Sequence, residues 1–292
     1  MINKVEFKKA REFGELISDS FLFIKQNFKP LLNAFFYLCG VFMVFGIISA
    51  VMQQMQMAGV IRNPYSMYSM RGLSALFGWR YVLVILFSML SHVALYLTVI
   101  SFVALYIQKG NIAPTVEEVW VYFKYYFFKT FGSSFVIVLF MILCFACCII
   151  PGIYVFPAMS LFYPVLIIEN GTFSYSFKRA FKLLKEEWWV TAAVLLVIWI
   201  ITYIFMTIIS APALVLGMIN TFTGTEKTLS NIYAIVLAVS QYLALVFIII
   251  PVVCGTMCYF NLVERKENTG LMSRMDSLGK DKDNLNPVSE EY

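Results

Sequence analysis

The sequence predicts an all-α membrane protein with six transmembrane helices. Of its 292 residues, 61% are hydrophobic and only 13% are charged, and the mean hydropathy is +0.80. A water-soluble domain carries about 25% charged residues, because polar side chains must cover its surface. The composition therefore predicts that lipid, and not water, surrounds most of this chain.

Long segments without any Asp, Glu, Lys or Arg predict where the chain crosses the membrane. They cover residues 30–61, 81–108, 130–168, 188–225 and 228–263. A bilayer core needs about 20 apolar residues as helix, since only a helix satisfies its own backbone hydrogen bonds in lipid. The third segment is long enough for two spans and is interrupted by Pro151-Gly152, which predicts a tight turn there.

The six predicted spans lie in one membrane domain, residues 1–263. They cover residues 31–52, 80–107, 131–150, 152–169, 189–216 and 231–260. The last three contain Pro157, Pro164, Pro212 and Pro251. Kinks are expected at these positions because each proline removes a backbone hydrogen bond. Residues 264–292 form a polar tail with few apolar residues, and we expect it to be disordered.

The distribution of basic residues predicts the orientation in the membrane. With the N-terminus inside, 18 Lys and Arg residues fall on inner segments and 4 on outer segments. Because basic residues are retained on the cytoplasmic side, both termini are expected to be cytoplasmic in a cell membrane. The basic residues are scattered between apolar segments, and this argues against a nucleic-acid-binding patch.

An amphipathic segment precedes the first, third and fifth predicted spans. We call residues 13–28, 116–127 and 173–188 the lead-in segments. Each contains an aromatic residue, a lysine four positions later, and a second aromatic residue three positions after the lysine: Phe21, Lys25 and Phe28; Trp120, Lys124 and Phe127; Phe181, Lys185 and Trp188. We predict three interfacial helices whose aromatic residues lie among acyl chains while the lysines contact anionic headgroups.

The recurrence of this pattern predicts a threefold internal repeat. Each unit would consist of an interfacial helix followed by a membrane hairpin. The alternative is that any aromatic segment flanked by lysine at a membrane surface has this composition. We favour the repeat.

Several motifs resemble a known family of membrane domains. They are Ile150-Pro-Gly-Ile-Tyr154, Pro164, Glu169-Asn-Gly171, residues 177–185 with Trp188-Trp189, and the N-terminal stretches 13–17 and 27–31. Together they resemble the membrane-domain family named after bacterial glycerophosphoryl diester phosphodiesterases. The resemblance implies a protein of the bacterial cytoplasmic membrane. Family members can carry a catalytic domain after the membrane part, whereas only residues 264–292 follow here, so phosphodiesterase activity is not expected.

His92 is the only histidine, and it falls in the second predicted span. It could relay protons or bind a ligand, but a hydrogen bond to Ser88, one helical turn earlier, or to a neighbouring helix is the favoured interpretation. No acidic residue accompanies it within a span. Neither an ion-coupling site nor a hydrolytic site can therefore be assembled inside the predicted helices.

No catalytic, metal-binding or cofactor-binding residue is predicted. The six cysteines all lie in apolar segments, where a free thiol behaves as a small hydrophobic group. The CxxC formed by Cys144 and Cys147 lacks the second ligand pair that a zinc site needs.

The expected function is that of a non-enzymatic membrane protein that binds or organises lipids or protein partners. The predicted partners are the lipid bilayer and anionic headgroups. One alternative is a transporter or channel for an apolar or zwitterionic substrate that uses the proline-containing helices as moving parts. Another is an enzyme acting on lipid headgroups, which would require acidic residues such as Glu117 and Glu169 to converge.

Overall fold

The computed structural model describes residues 4–61, 72, 77–147, 149–222 and 227–267. Its helices are α1 (Phe13–Gln26), α2 (Phe28–Ile61), α3 (Trp79–Gln108), α4 (Val116–Cys147), α5 (Ile149–Ile168), α6 (Phe173–Leu184), α7 (Trp188–Phe222), α8 (Lys227–Ala244) and α9 (Ile249–Glu267), with a 3-10 helix, Leu245–Ile248, between α8 and α9. The described part of the chain contains no β-strand.

Within the described residues, six helical segments are long and apolar enough to cross a membrane. They are Phe28–Met57, Trp79–Gln108, Val116–Ala146, Ile150–Ile168, Trp188–Ile219 and Asn231–Glu267. The predicted all-α, multi-pass fold with six spans is therefore confirmed. The final span continues to Glu267, so residues 264–267 belong to a helix and not to the tail; the rest of the predicted tail lies outside the described residues.

The predicted turn at Pro151-Gly152 was wrong in its position. Helix α4 ends at Cys147 and α5 begins at Ile149, so the proline lies in the first turn of α5. Proline is favoured near the start of a helix, because the backbone N–H that it lacks would have no partner there. The Pro-Gly pair therefore marks the beginning of a helix.

The internal prolines have different local effects. Pro157 and Pro164 lie within the continuous helix α5, and Pro212 lies within the continuous helix α7. Around Pro251, by contrast, the chain changes from α-helix to 3-10 helix just before α9 begins. The proline ring crowds the carbonyl four residues earlier, that of Phe247, and this accounts for the tightened turn.

Helices α3, α5 and α9 form the centre of the bundle, where each contacts the other two. Each belongs to the second span of a predicted membrane hairpin; in the third hairpin, α8 and α9 together form that span. The first helices of the hairpins pack outside them: α2 against α3, α4 against α5, and α7 against α8 and α9. The most apolar part of α5 is 61% buried within the protein, against 22% for α4 and for α7. The outer helices therefore leave most of their apolar surface for lipid.

Each lead-in segment lies against a central helix of a different hairpin. Helix α1 packs along α9, the beginning of α4 packs beside the end of α3, and α6 packs along α5. The Tyr122 hydroxyl donates to Gln108 Oε1 at 2.9 Å in the second pair. In the third pair the ring centroids of Phe173 and Phe162 are 5.4 Å apart. If the third hairpin is counted as preceding the first, every lead-in segment packs on the hairpin before its own.

The three lead-in segments differ in how they join their spans. Helices α1 and α6 end before the following span, whereas the second segment and its span form one helix, Val116–Cys147. The break after α1 falls at Asn27, whose side-chain amide donates to the Phe23 carbonyl at 3.1 Å. Asn competes in this way with helical hydrogen bonding, and α4 contains no Asn, Asp or Pro. The second lead-in segment is thus not a separate helix.

Candidate functional site

The three lead-in segments bury corresponding positions. The residue five positions before the shared lysine is fully buried in each case, with 0% exposure for Ser20, Val119 and Ala180. The lysines themselves, Lys25, Lys124 and Lys185, are all exposed. The Ser20 hydroxyl donates to the Leu16 carbonyl at 2.6 Å and lies 3.4 Å from Met257 Sδ, which places the inner face of α1 against α9. One face of each segment therefore contacts protein while the lysine points away from it.

The aromatic residues of the shared pattern lie at the edge between the protein core and the surface. Phe28 is 54% exposed and Trp120 is 40% exposed. The other four, Phe21, Phe127, Phe181 and Trp188, are partly buried against the core. In α1 the buried residues are Leu16, Ser20 and Phe23, and the predicted aromatic stripe lies beside them. The stripe is therefore available to lipid on its outer side.

None of the three lysines has a carboxylate partner within the described part of the chain. Lys124 Nζ lies 5.4 Å from the centroid of the Trp120 ring, in a cation–π contact that leaves its outer hydrogens unpaired. An exposed ammonium group beside an aromatic ring can bind an anion without first breaking an ion pair. This is the chemistry that an anionic headgroup requires.

Other basic residues are held in a charged network around the end of α9. Arg179 pairs with Glu169 at 3.3 Å and also with Glu267, and Arg265 pairs with Glu187 at 3.0 Å. These contacts tie α9 to the loop after α5, to α6 and to the beginning of α7. The network therefore joins segments that are distant in sequence at one end of the bundle.

Glu169 lies at the centre of this network. Its carboxylate accepts hydrogen bonds from the hydroxyls of Tyr175 at 2.6 Å and Tyr259 at 2.9 Å, and it pairs with Arg179. The hydrogen bond to this carboxylate raises the pKa of Tyr175 above its ordinary value, and partial burial adds to the effect. With three partners, Glu169 serves to connect α5, α6 and α9.

Arg11 anchors the segment before α1. Its side chain is 1% exposed, pairs with Asp19 at 2.7 Å, and donates to three backbone carbonyls of residues 6, 7 and 9. The Arg11 backbone N–H donates to Asn261 Oδ1 at 2.7 Å, and Arg265 donates to the Arg11 carbonyl at 2.8 Å. The beginning of the described chain and the end of the last span therefore lie together at the same end of the bundle.

An apolar groove of about 740 Å³ runs between α5 and α7. Ile153, Phe156 and Pro157 form one wall, and the other includes Ala193 and Leu196. At one end, Trp188 Nε1 donates to the Tyr154 carbonyl at 3.0 Å, and the two rings stack 5.6 Å apart. The groove thus starts three residues after Lys185 and continues along membrane-spanning helices.

His92 lies between two cavities within the membrane-spanning part. Its Nδ1 is 2.8 Å from the Ser88 carbonyl, so the predicted contact with residue 88 is confirmed. A carbonyl can only accept, so Nδ1 carries the proton and Nε2 of the neutral ring is an acceptor. One cavity of about 440 Å³ includes Ser134 and Tyr163, and another of about 200 Å³ includes Tyr242.

The tyrosines around His92 were missed by sequence reasoning. Tyr81 and Tyr96 lie on α3, Tyr163 on α5 and Tyr242 on α8, and nothing local in an apolar span indicates which tyrosines will line a common cavity. Among the described residues, no three His, Cys, Asp or Glu side chains are placed to hold a metal ion. Cys148, which directly follows the CxxC of Cys144 and Cys147, lies outside those residues.

Comparison of this chain with family models, with curated protein sequences and with solved structures found no match. Its function therefore has to be inferred from its own residues.

Proposed function

We propose that this protein is a non-enzymatic, multi-pass protein of a bacterial cytoplasmic membrane that binds and organises anionic lipids through its lead-in segments. The observation that carries the proposal is the shared placement of Lys25, Lys124 and Lys185. All three are exposed, lack a carboxylate partner among the described residues, and sit beside a residue pair of the same aromatic pattern. Both termini are proposed to lie in the cytoplasm, on the side with anionic lipid.

The energetics favour several weak contacts acting together. A lysine close to an anionic membrane surface contributes about 1 kcal/mol, so three lysines supply roughly 3 kcal/mol. Aromatic rings are most stable at the headgroup level, where one edge is apolar and the other is hydrated. Because the three segments pack on three different central helices, their lysines are distributed around the bundle. Such a protein would collect anionic lipid on several sides.

This distribution also supports the threefold repeat. Ser20, Val119 and Ala180 are buried at equivalent positions, and each lead-in segment packs on the preceding hairpin. We propose that the three units share one ancestral arrangement, with the second hairpin shortened. In an experimental structure, the three units should superpose with their lead-in segments in similar directions. Unrelated directions would contradict the repeat.

The groove between α5 and α7 is proposed to hold an acyl chain of one bound anionic lipid. Its walls are almost entirely apolar, and it lies on helices that are long enough to span a membrane. Lys185, three residues before Trp188, is within about 11 Å of the groove end along the chain. A phospholipid can therefore place its phosphate near Lys185 and one tail against Ala193 and Leu196.

Substitution of the three lysines tests the proposal. Lys25, Lys124 and Lys185 are changed together to Gln, and the purified protein is compared with the wild type in nanodiscs containing anionic and zwitterionic phospholipid. Native mass spectra should show fewer retained anionic lipids and unchanged retention of zwitterionic lipid. A matched triple change to Arg, which keeps the charge, should retain the wild-type pattern. Equal retention of anionic lipid by the Gln and Arg variants would contradict the proposal.

The orientation is tested separately. Reporter fusions that are active only in the cytoplasm, placed at each end of the chain, should both be active in bacteria. Activity of one fusion alone would contradict the proposed topology without affecting lipid binding to the lysines.

A transporter for an apolar or zwitterionic substrate is the second candidate. Two cavities with hydrogen-bonding groups beside His92, and prolines within α5 and α7, are the features that favour it. Reconstituted protein would then have to move such a substrate across proteoliposomes. Lipid retention without flux favours the first proposal.

A further inference from the structure

The two cavities beside His92 contain hydrogen-bonding groups that lack protein partners. His92, Ser88 and Val84 line both cavities, so this face of α3 connects them. The Nδ1 atom of His92 is satisfied by the Ser88 carbonyl, whereas its Nε2 atom has no partner in the described part of the chain. An acceptor therefore points into an apolar region without a donor.

Tyr242 forms part of the wall of the smaller cavity, but its hydroxyl is buried behind that wall and is not reached by a molecule inside the cavity. Its side chain is 6% exposed, and its hydroxyl has no hydrogen-bond partner among the described residues. A Cβ atom at Gly46 would lie 2.3 Å from the Tyr242 ring, so the ring packs directly on the α2 backbone. This contact holds the hydroxyl in place, and leaving a buried hydroxyl without a partner costs about 1–3 kcal/mol.

Gln241 adds a polar amide at the same cavity. It is exposed, although it lies ten residues inside the span Asn231–Glu267. An amide facing hydrocarbon is costly unless another molecule satisfies it. The polar side chains of His92 and Gln241, on two helices, thus line one small space that opens toward lipid.

The chemistry of these groups selects the ligand. Among the described residues, Lys and Arg are absent from the lining of both cavities, so a phosphate or carboxylate would remain without a counter-ion there. His92 Nε2 needs a donor, and the Gln241 amide offers N–H donors; a ligand hydroxyl can donate to the first and accept from the second. A quinone or ester carbonyl only accepts, and so cannot satisfy the neutral histidine.

We propose that the cavities beside His92 form an intramembrane binding site for an uncharged lipid with a hydroxyl headgroup, such as a diacylglycerol. The hydroxyl occupies the cavity of about 200 Å³, donates to His92 Nε2 and accepts from the Gln241 amide. An acyl chain extends into the cavity of about 440 Å³ beside α4 and α5. The site is separate from the proposed anionic-lipid surfaces, which lie on the lead-in segments.

The single histidine allows a direct test. Full-length protein labelled with ¹⁵N only at histidine gives one pair of imidazole resonances, because the chain contains one His. In phosphatidylcholine nanodiscs, dioleoylglycerol is added as the probe. The Nε2 resonance should move toward lower frequency in a saturable manner, as expected for a nitrogen that accepts a hydrogen bond, while the Nδ1 resonance stays nearly unchanged. No saturable change at Nε2 would overturn the proposal.

Two controls distinguish binding through the lipid hydroxyl from binding through the acyl chains. The methyl ether of dioleoylglycerol has the same tails but no donor, so it should leave Nε2 unchanged; an equal shift with the ether would overturn the assigned hydrogen bond. Gln241→Leu should weaken dioleoylglycerol binding about fivefold, the usual effect of one lost neutral hydrogen bond. An unchanged affinity in this variant would overturn the assigned bond from Gln241. Because dioleoylglycerol is uncharged, its binding does not depend on Lys25, Lys124 or Lys185. Failure of this proposal can therefore be told apart from failure of the anionic-lipid proposal.

Discussion

Two groups of basic residues in this molecule behave in opposite ways. Arg11, Arg179 and Arg265 are held in hydrogen bonds and ion pairs around the end of α9, whereas the lysines of the lead-in segments are exposed and unpaired. Residue type accounts for the difference between these two groups, although Lys266 at the end of α9 also pairs with Glu186. A guanidinium offers five donors in a plane and can join several acceptors, while an ammonium on a flexible stem reaches to the membrane surface. Positive charge thus has a structural role in one region and is available to lipid in the other.

Substitution of Arg11 should give the largest effect on stability. Arg11→Met leaves Asp19 and three backbone carbonyls without their donor, and breaking a buried charge pair in this way costs roughly 3–5 kcal/mol. Thermal unfolding in detergent micelles should show a clearly lowered transition temperature. Lys25→Met, a charge loss on the adjacent helix α1, serves as the control and should change stability by less than about 0.5 kcal/mol.

Equal effects of these two substitutions would break the distinction between paired and unpaired charges. A large loss for Lys25→Met would mean that this lysine also supports the fold.

Substitution of Glu169 measures how much its carboxylate contributes to the stability of the charged network. Glu169→Gln removes the ion pair with Arg179 but keeps an oxygen that can accept from Tyr175 and Tyr259, so we expect a loss of about 1–2 kcal/mol. The pKa of Tyr175, raised by the carboxylate in the wild type, should fall toward its ordinary value. Titration of the labelled Tyr175 ring by NMR measures this change.

The sign of the pH dependence follows from the raised pKa. Folding favours the protonated hydroxyl of Tyr175, so its contribution to stability is present below about pH 10 and is lost as the pH rises through the folded-state pKa. Glu169→Gln should reduce this loss. A Tyr175 pKa that stays as high in the variant as in the wild type would show that Glu169 is not the cause.

Filling the groove between α5 and α7 should have the smallest effect on stability. It should nevertheless clearly reduce lipid binding. Ala193→Phe places a ring in the space between α5 and α7 and should displace the acyl chain, while stability changes by less than about 1 kcal/mol. Spin-labelled anionic phospholipid should lose its immobilised fraction. Ile208→Phe is the matched control, because Ile208 is 63% exposed on the same helix and does not line the groove. Immobilisation that persists in Ala193→Phe would remove the groove from the proposal.

The spans could be predicted from composition because the bilayer imposes a length and excludes charge. The predicted second and fourth spans, residues 80–107 and 152–169, differ from the helices by only a few residues. The turn between the third and fourth spans was predicted at Pro151-Gly152, which is too late in the sequence, since Pro-Gly is compatible both with a turn and with the start of a helix. The second lead-in segment has the same apolar periodicity as the other two, but periodicity does not show where a helix ends.

Whether a contact in the candidate sites could be predicted depended on how far apart its residues are in the sequence. The bond from His92 to residue 88 is local, and helical geometry alone suggested it. The contact between Arg11 and Asn261 joins residues 250 positions apart, and no pattern in one sequence indicates such a pair. The buried faces of the lead-in segments were also missed, because small residues such as Ser20 and Ala180 pack well only once the opposing helix is known.

The depth of the three lysine positions in the membrane tests the central claim most directly. Nitroxide labels are placed in turn at positions 25, 124 and 185 of the protein in anionic nanodiscs, and their collision rates with lipid-soluble oxygen and with a water-soluble relaxation agent are compared. We expect one common depth, at the level of the headgroups, for all three labels. Three different depths, or labels as accessible to water as one at position 9, would contradict it.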